Sequence, residues 1–570
     1  MAGVMRRLRV ALVVPLFLLA ACGNDDAGKD KGGASATSAP AATPTQATAT
    51  TAPIADPAAT AAAMSDTDLA GQVLMPYAYG SDATTVDKTS AAGNRNLAGV
   101  DTPAEMIAKF HLGGLILVGF SAQDPTGSTN PATNVENPQQ VRKLTDGLQA
   151  AAAQAGMPPL MVGTDQEYGV VTRITDGVTA LPSAMAAGAA GQPALTEAAW
   201  HAAGEELSAM GITVDFAPVA DTLGPPANTV IGSRSFGADP KANAAQVAAA
   251  VRGLQSAGVA AGLKHFPGHG HTSADSHATL PVVTQTAAQW TAQDLPPFQA
   301  GVDAGVGVVM SGHLDVQALD KGTAATFSHK IMTDELRGKL KFTGVAITDA
   351  MNMPPAMKWP AGEAAVRALN AGNDMLLMPP DIAGARDGIL AGLKNGTLKR
   401  ERLVEAVTRV LTLKSRTTAA KGLSTVGAAA HQQAVGALDA ASVTILRGAC
   451  QGPLLTGPVT VTAAEGREAA RVNLVRALQA AGVNVQAAGG RVVHLVGYGD
   501  SPADLDPAAA VTVMMDTPYL LAAAKSPTLI ATYSSSKLSL TALAAVLAGK
   551  AKAAGRSPVA VPGLPASACR

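Results

Sequence analysis

The segment Lys264-His265-Phe266-Pro267-Gly268-His269-Gly270-His271-Thr272-Ser273-Ala274-Asp275-Ser276-His277 holds four of the chain's ten histidines. Around it the sequence is mostly Ala, Val, Gly and Leu. Titratable groups crowded into a Gly/Pro-rich loop are poor core material, because burying them costs free energy unless they are paired. Such clusters are usually kept for chemistry. Two chemistries compete with a plain solvated loop. His-x-x-x-His-x-His looks like metal-ligand spacing, and His ligands at i,i+4 converge when they share a helix face. Pro267 and Gly268 break any helix between His265 and His269, so neither a metal nor another cofactor is expected. The other chemistry is proton transfer. Asp275 stands two residues before His277, where a carboxylate favours the charged imidazole and orients its ring.

A proton carrier needs a frame. From Met64 to about Leu413 one unit repeats: an apolar run, a polar loop, then an Ala-rich helix. The runs are Gln72–Tyr77, Gly114–Val118, Leu160–Gly163, Thr213–Pro218, Gly258–Leu263, Gly307–Met310, Gly344–Ile347 and Asp374–Met378. Several are continuous rather than alternating, as strands buried on both faces should be. Asn137-Pro138 and Asp239-Pro240 each place an N-cap residue before Pro at the first helical position. Gly156, Gly211 and Gly258 close helices just before the next strand. Eight such repeats predict a (β/α)8 barrel, with a doubly wound open sheet as the alternative. In a barrel the active site lies at the C-terminal ends of the strands. The polar residues fall there: Asp165 after the third run, Asp221 after the fourth, Lys264 and His265 after the fifth, His313 after the sixth and Asp349 after the seventh.

The ends of the chain set its surroundings. Arg6, Arg7 and Arg9 precede a short apolar core, Val10 to Leu19, too short to span a bilayer comfortably. Leu19-Ala20-Ala21-Cys22 resembles a bacterial lipobox, which implies cleavage before Cys22 and a lipid on its thiol; an ordinary secretory signal is the alternative. Residues 1–22 therefore read as a signal peptide. Residues 23–63, rich in Ala, Thr and Pro, read as a disordered tether. A catalytic domain is expected over 64–425, a linker with a short helical stretch over 426–438 and a second domain over 439–570. The expected location is the extracytoplasmic face of the cell membrane, with the lipid as anchor and the chain a monomer. A formal net charge of -1 gives no broad pull toward nucleic acid. With aromatics at 3%, a compact pocket for one or two sugar rings fits better than a long stacking groove. In the second domain, Val443–Leu446, Val459–Val461, Val492–Val496, Val511–Met515 and Leu529–Tyr533 alternate with Ala-rich helices, giving a smaller α/β domain. Asp500, Asp516 and Tyr519 are candidates for a loop reaching the barrel, against a reading as ordinary polar residues. Export would permit a Cys450–Cys569 disulfide, though two unrelated thiols fit equally well.

The string KHFPGHGHTSADSHATLP resembles the signature loop of family 3 glycoside hydrolases, in the bacterial β-N-acetylglucosaminidase branch. GTDQEYGVVTRI (Gly163–Ile174), FAPVADT (Phe216–Thr222), IGSRSFGADP (Ile231–Pro240), SGHLDV (Ser311–Val316) and ITDAMNM (Ile347–Met353) are similar to that family in the same order. The resemblance spans the barrel, and the second domain resembles the α/β sandwich appended in many members. It implies that Asp349 is the catalytic nucleophile, His277 the general acid/base and Asp275 its partner. Asp165, Arg173, Arg234, Lys264 and His265 match sugar-binding positions, and the role of His313 stays open. The implied activity is retaining release of terminal N-acetylglucosamine from muropeptides or related oligosaccharides. Retention needs an anionic nucleophile and a proton donor beside the leaving oxygen; here an imidazole takes the donor's place. A β-glucosidase or phosphorylase of the same family, or a lipoprotein that binds glycans without cleaving them, are the alternatives. The sequence departs from the family where His271 stands for an Asp, Tyr168 for a Gly, and Val170 occupies a tolerant position.

Overall fold

The computed structural model describes residues 54–119, 134–224, 228–272, 274–417 and 422–569. The expected signal segment, Cys22 and the expected tether up to residue 53 lie outside the described residues. Among the described residues, eight short parallel strands form the barrel: Leu74–Met75, Gly114–Ile116, Met161–Thr164, Val214–Asp215, Ala260–Phe266, Val308–Ser311, Val345–Thr348 and Leu376–Leu377. Each falls on one of the eight apolar runs. The second to seventh strands pair in sequence order, and the first pairs with the eighth. The ring closes through the Ile347–Met375 bridge and through the Ile116 amide, which donates to the Pro76 carbonyl at 3.0 Å. The strands are buried throughout, because helices cover them outside and side chains fill them inside.

The helix signals act locally as their chemistry requires. The Asn137 side chain accepts from the Gln140 amide. Asp239 accepts from the Lys241 and Ala242 amides. Gly211 and Gly258 take φ of +79° and +90° at helix ends, where a Cβ would be strained.

Two expected boundaries differ from the structure. The tether was expected to run to Ala63, yet Pro57–Ala63 is a helix capped by Asp56, with Ala61 fully buried. The expected 426–438 linker is largely helix Ala429–Ser442. Val435 and Leu438 of that helix join the barrel core. His431 lies between two carboxylates of helix Pro193–Ala209, with Nδ1 2.8 Å from Glu206 and Nε2 2.9 Å from Glu205. Both segments are Ala-rich and bury small faces, which composition alone reads as flexible.

The second domain holds a five-stranded sheet. Val459–Ala463, Arg491–Val496, Val511–Met514 and Thr528–Ala531 run parallel, and Thr444–Arg447 adds antiparallel at the edge. Alternating side chains split between two cores. Val493, Leu495, Val511, Val513 and Ile530 pack under helices Glu468–Ala480 and Lys537–Leu547. Val496, Met514, Leu529 and Ala531 pack instead against Met185 and Ala186 of helix Ala184–Ala190 and Val219 and Ile231 of the barrel's loops. The domain is thus a sandwich with the barrel on one face. Cys450 and Cys569 form a disulfide, Cα–Cα 5.4 Å. Among the described residues no helix is long and apolar enough to cross a membrane.

Candidate active site

The third strand ends at Thr164 and delivers Asp165, Gln166 and Glu167; the fifth delivers Lys264 and His265. Lys264 Nζ donates to Asp165 Oδ1 and Glu167 Oε1, each at 2.6 Å. The Arg234 guanidinium forks onto Glu167, Nε to Oε2 at 2.7 Å and Nη2 to Oε1 at 2.8 Å. Arg173 Nη2 lies 3.6 Å from Asp165 Oδ2. Burial opposes ionisation of Glu167, but Arg234 and Lys264 outweigh it and hold its carboxyl well below the usual range. Burial likewise opposes the Lys264 charge, and Asp165 with Glu167 more than restores it. Asp165 is the cluster's outlet: its side chain is 17% exposed, against 3% for Lys264.

His265 is set from the other side. Its Nδ1 donates to Asp221 Oδ2 at 2.7 Å, and Asp221 Oδ1 accepts from the amides of His265 at 3.1 Å and His269 at 2.7 Å. Burial raises the Asp221 carboxyl, but His265 and His269 bring it below normal. His269 is fully buried, and burial with the neighbouring His265 pushes its imidazole down to about 4. His269 is held within the loop, with Thr272 Oγ1 2.9 Å from Nδ1 and Ser276 Oγ 3.2 Å from Nε2. His271 lies 2.9 Å from Asp294 through Nδ1. It ties the glycine-rich loop to the start of helix Leu295–Asp303.

His277 Nδ1 donates to Asp275 Oδ1 at 2.7 Å, and the same oxygen accepts the His277 amide at 2.9 Å. This hydrogen bond fixes the tautomer and leaves Nε2 as the nitrogen that exchanges a proton. The bond from His277 holds the Asp275 carboxyl below its usual value, against the opposing effect of burial.

Asp349 follows the seventh strand. Its amide donates to Ser311 O at 2.9 Å, and Asp349 Oδ1 accepts the Ala350 amide at 2.8 Å. Burial pushes its carboxyl up, but His265, His313 and His277 around it, with the Ala350 bond, outweigh burial and leave it below normal. Asp349, its neighbour His265 and His277 therefore share one field. His313, whose role the sequence left open, donates from Nε2 to the Ala350 carbonyl at 3.0 Å and lies 2.9 Å from Thr326 through Nδ1. It is a brace behind the Asp349–Ala350 peptide.

The structure brings all eight expected catalytic and sugar-binding residues to one end of the barrel. Sequence reasoning missed Glu167, the centre of the charge cluster. Its signal was there: two residues beyond Asp165, an acid in a loop otherwise bound for burial needs a cation. The Tyr168 departure has a local account. Its φ is +65°, the conformation a Gly would take, and its buried ring meets Trp200 edge-on at 5.9 Å. Among the described residues no group of three or more His, Cys, Asp or Glu side chains is arranged to hold a metal ion.

Residues 84–413 match the model of the glycosyl hydrolase family 3 N terminal domain. The chain is 34% identical to beta-hexosaminidase A of Pseudoalteromonas piscicida over 375 residues, 60% of this chain and 60% of that protein. It is 38% identical to a beta-hexosaminidase of Pseudomonas aeruginosa over 266 residues, 46% of this chain and 76% of the relative. Among solved structures it resembles a glycoside hydrolase family 3 beta-N-acetylglucosaminidase from Paenibacillus sp. str. FPU-7, at 31% identity and a TM-score of 0.76. That likeness covers 88% of this chain and 99% of the other.

Proposed function

This chain belongs to glycosyl hydrolase family 3, and we propose that it is a retaining exo-β-N-acetylglucosaminidase. One arrangement carries the reading: a half-buried Asp349, held in its ionised form by the histidines around it, beside a His277 whose Nδ1 is held by Asp275. In the first step Asp349 attacks the anomeric carbon while His277 Nε2 protonates the leaving oxygen, giving a covalent glycosyl–Asp349 intermediate. His277, now neutral, takes a proton from water as the water attacks the same carbon and frees Asp349. Asp165 accepts hydrogen bonds from sugar hydroxyls, while Arg173, Arg234, Lys264 and His265 orient it and the ring. The names of the beta-hexosaminidase relatives and of the Paenibacillus enzyme support the choice of N-acetylglucosamine.

The natural substrates on this reading are muropeptides or related oligosaccharides outside the cytoplasm, with the enzyme tethered through a lipid on Cys22. The basic, apolar and small-residue run before Cys22 supports that placement. Release of a Cys22→Ala chain into the soluble fraction would support the anchor, and unchanged membrane retention would remove it.

A panel of aryl glycosides tests the activity. The aryl N-acetylglucosaminide is expected to turn over far faster than the glucoside, and Asp349→Ala to abolish turnover. Mass spectrometry of a slow fluorosugar reaction should find the adduct on Asp349. Wild-type rates in Asp349→Ala would sink the assignment. Added phosphate yielding sugar 1-phosphate would make the enzyme a phosphorylase instead.

A further inference from the structure

The second domain touches the sugar-binding cluster from behind. Strand Val511–Met514 ends in Met515-Asp516-Thr517, and this end lies against the short 3-10 turn Gly232–Arg234 of the barrel. Ser233 Oγ donates to Asp516 Oδ1. Thr517 Cγ2 lies 3.5 Å from where a Cβ on Gly232 would stand. Ser233 and Asp516 are 3% and 6% exposed, so water does not compete for their bond. The residue after Ser233 is Arg234, whose fork holds Glu167 and, through it, Lys264 and Asp165.

The same domain grips the other end of that ion pair. Gly169 and Val170, just beyond Glu167, line one small cavity with Ser233, Asp516 and Arg467. Ser183 Oγ donates to the Tyr533 carbonyl at 2.6 Å, and a Cβ on Gly169 would stand 2.8 Å from Ser183 Cβ. Arg467 is itself held by Asp500 at 2.9 Å.

We propose that Asp516 is a positioning residue for the sugar subsite: through Ser233 it fixes the turn that aims Arg234 at Glu167. This rests on the reading of the Arg234–Glu167–Lys264–Asp165 cluster as the sugar-binding site. The carboxyl touches no substrate. Its work is to keep an acceptor in front of a buried hydroxyl, which would otherwise be left unpaired and free to rotate the turn. Burial pushes the Asp516 carboxyl up, against the bond from Ser233. An uncharged acceptor of the same shape therefore suits the site.

The test compares Asp516→Ala, Asp516→Asn, Ser233→Ala and the Asp516→Ala/Ser233→Ala double variant in the full chain, on the aryl N-acetylglucosaminide. Asp516→Ala is expected to raise KM about tenfold with kcat changed less than about threefold, the loss of one buried hydrogen bond felt through Arg234. Asp516→Asn restores the acceptor and should bring KM back to within about threefold of wild type. Ser233→Ala should match Asp516→Ala, and the double variant should be no worse than either single one. Melting curves separate this from loss of folded enzyme. If Asp516→Ala does not fold, Ser233→Ala carries the same comparison from the barrel side. An unmoved KM in folded Asp516→Ala or Ser233→Ala, or fully additive effects, overturns the inference. A wild-type chain inactive on every glycoside instead overturns the reading of the site, and this inference with it.

Discussion

At the residue scale, two ring nitrogens of one histidine divide the labour. Asp275 occupies Nδ1 of His277, so on the proposed mechanism acid catalysis falls to Nε2. His277→Ala is expected to lower kcat/KM, which reports the first step, by ~10²–10⁴-fold for aryl glycosides with poor leaving groups. A dinitrophenyl leaving group departs without a proton and should lose far less. A leaving-group series measures this, and equal losses across it would remove His277 from the acid role. Much of this level was readable in the sequence, because Asp275 and His277 are neighbours in the chain and Lys264 and His265 end a strand. For Glu167 the sequence offered only an acid in need of a cation and not the partners, since Arg234 and Lys264 lie 67 residues away and further. The same holds for His271, whose partner Asp294 sits 23 residues on. Pairing between distant loops is decided by the closed barrel rather than by spacing.

At the element scale, helix Ala429–Ser442 is a strut whose charges were hidden by its composition. Its Asp439 is buried, accepts the Ser539 hydroxyl of helix Lys537–Leu547, and has a second oxygen without a hydrogen-bond partner. Burial pushes this carboxyl from 3.8 up to about 7. The folded chain then keeps a proton that the unfolded chain releases between those values, so stability falls as pH rises through that window. Asp439→Asn removes the ionising group. Its stability gain is expected to grow from pH 3.8 to about 7 and to level off above, at roughly 1–3 kcal/mol. Denaturant melts across pH check it; a gain that shrank as pH rose would contradict the assignment. The strand runs of both domains were legible because apolar continuity survives any packing. The helix at 429–442 was legible only as a short helical stretch within a linker, because alanine serves a tether and a close-packed helix equally well.

At the scale of the whole molecule, the Cys450–Cys569 disulfide ties the chain's last described residue to the start of the second domain's sheet across 119 residues. Sequence could offer this pair but not choose it, since two thiols fit a bond or no bond until the fold sets their Cα atoms 5.4 Å apart. Closing so long a loop restricts the unfolded chain, by up to about 5 kcal/mol on the entropic account. Complete reduction, verified by thiol titration, should lower the unfolding midpoint of the full chain. An unchanged midpoint would show that the bond constrains little in the unfolded state.

Asp165 is the partly exposed face of an otherwise dry set of ion pairs. On the proposed reading, the dipoles that would face a sugar are oriented at folding, before any ligand arrives. Binding would then displace solvent from one carboxylate and leave the charges behind it where they were. The reorganisation that water would demand around a developing charge has already been met by the fold.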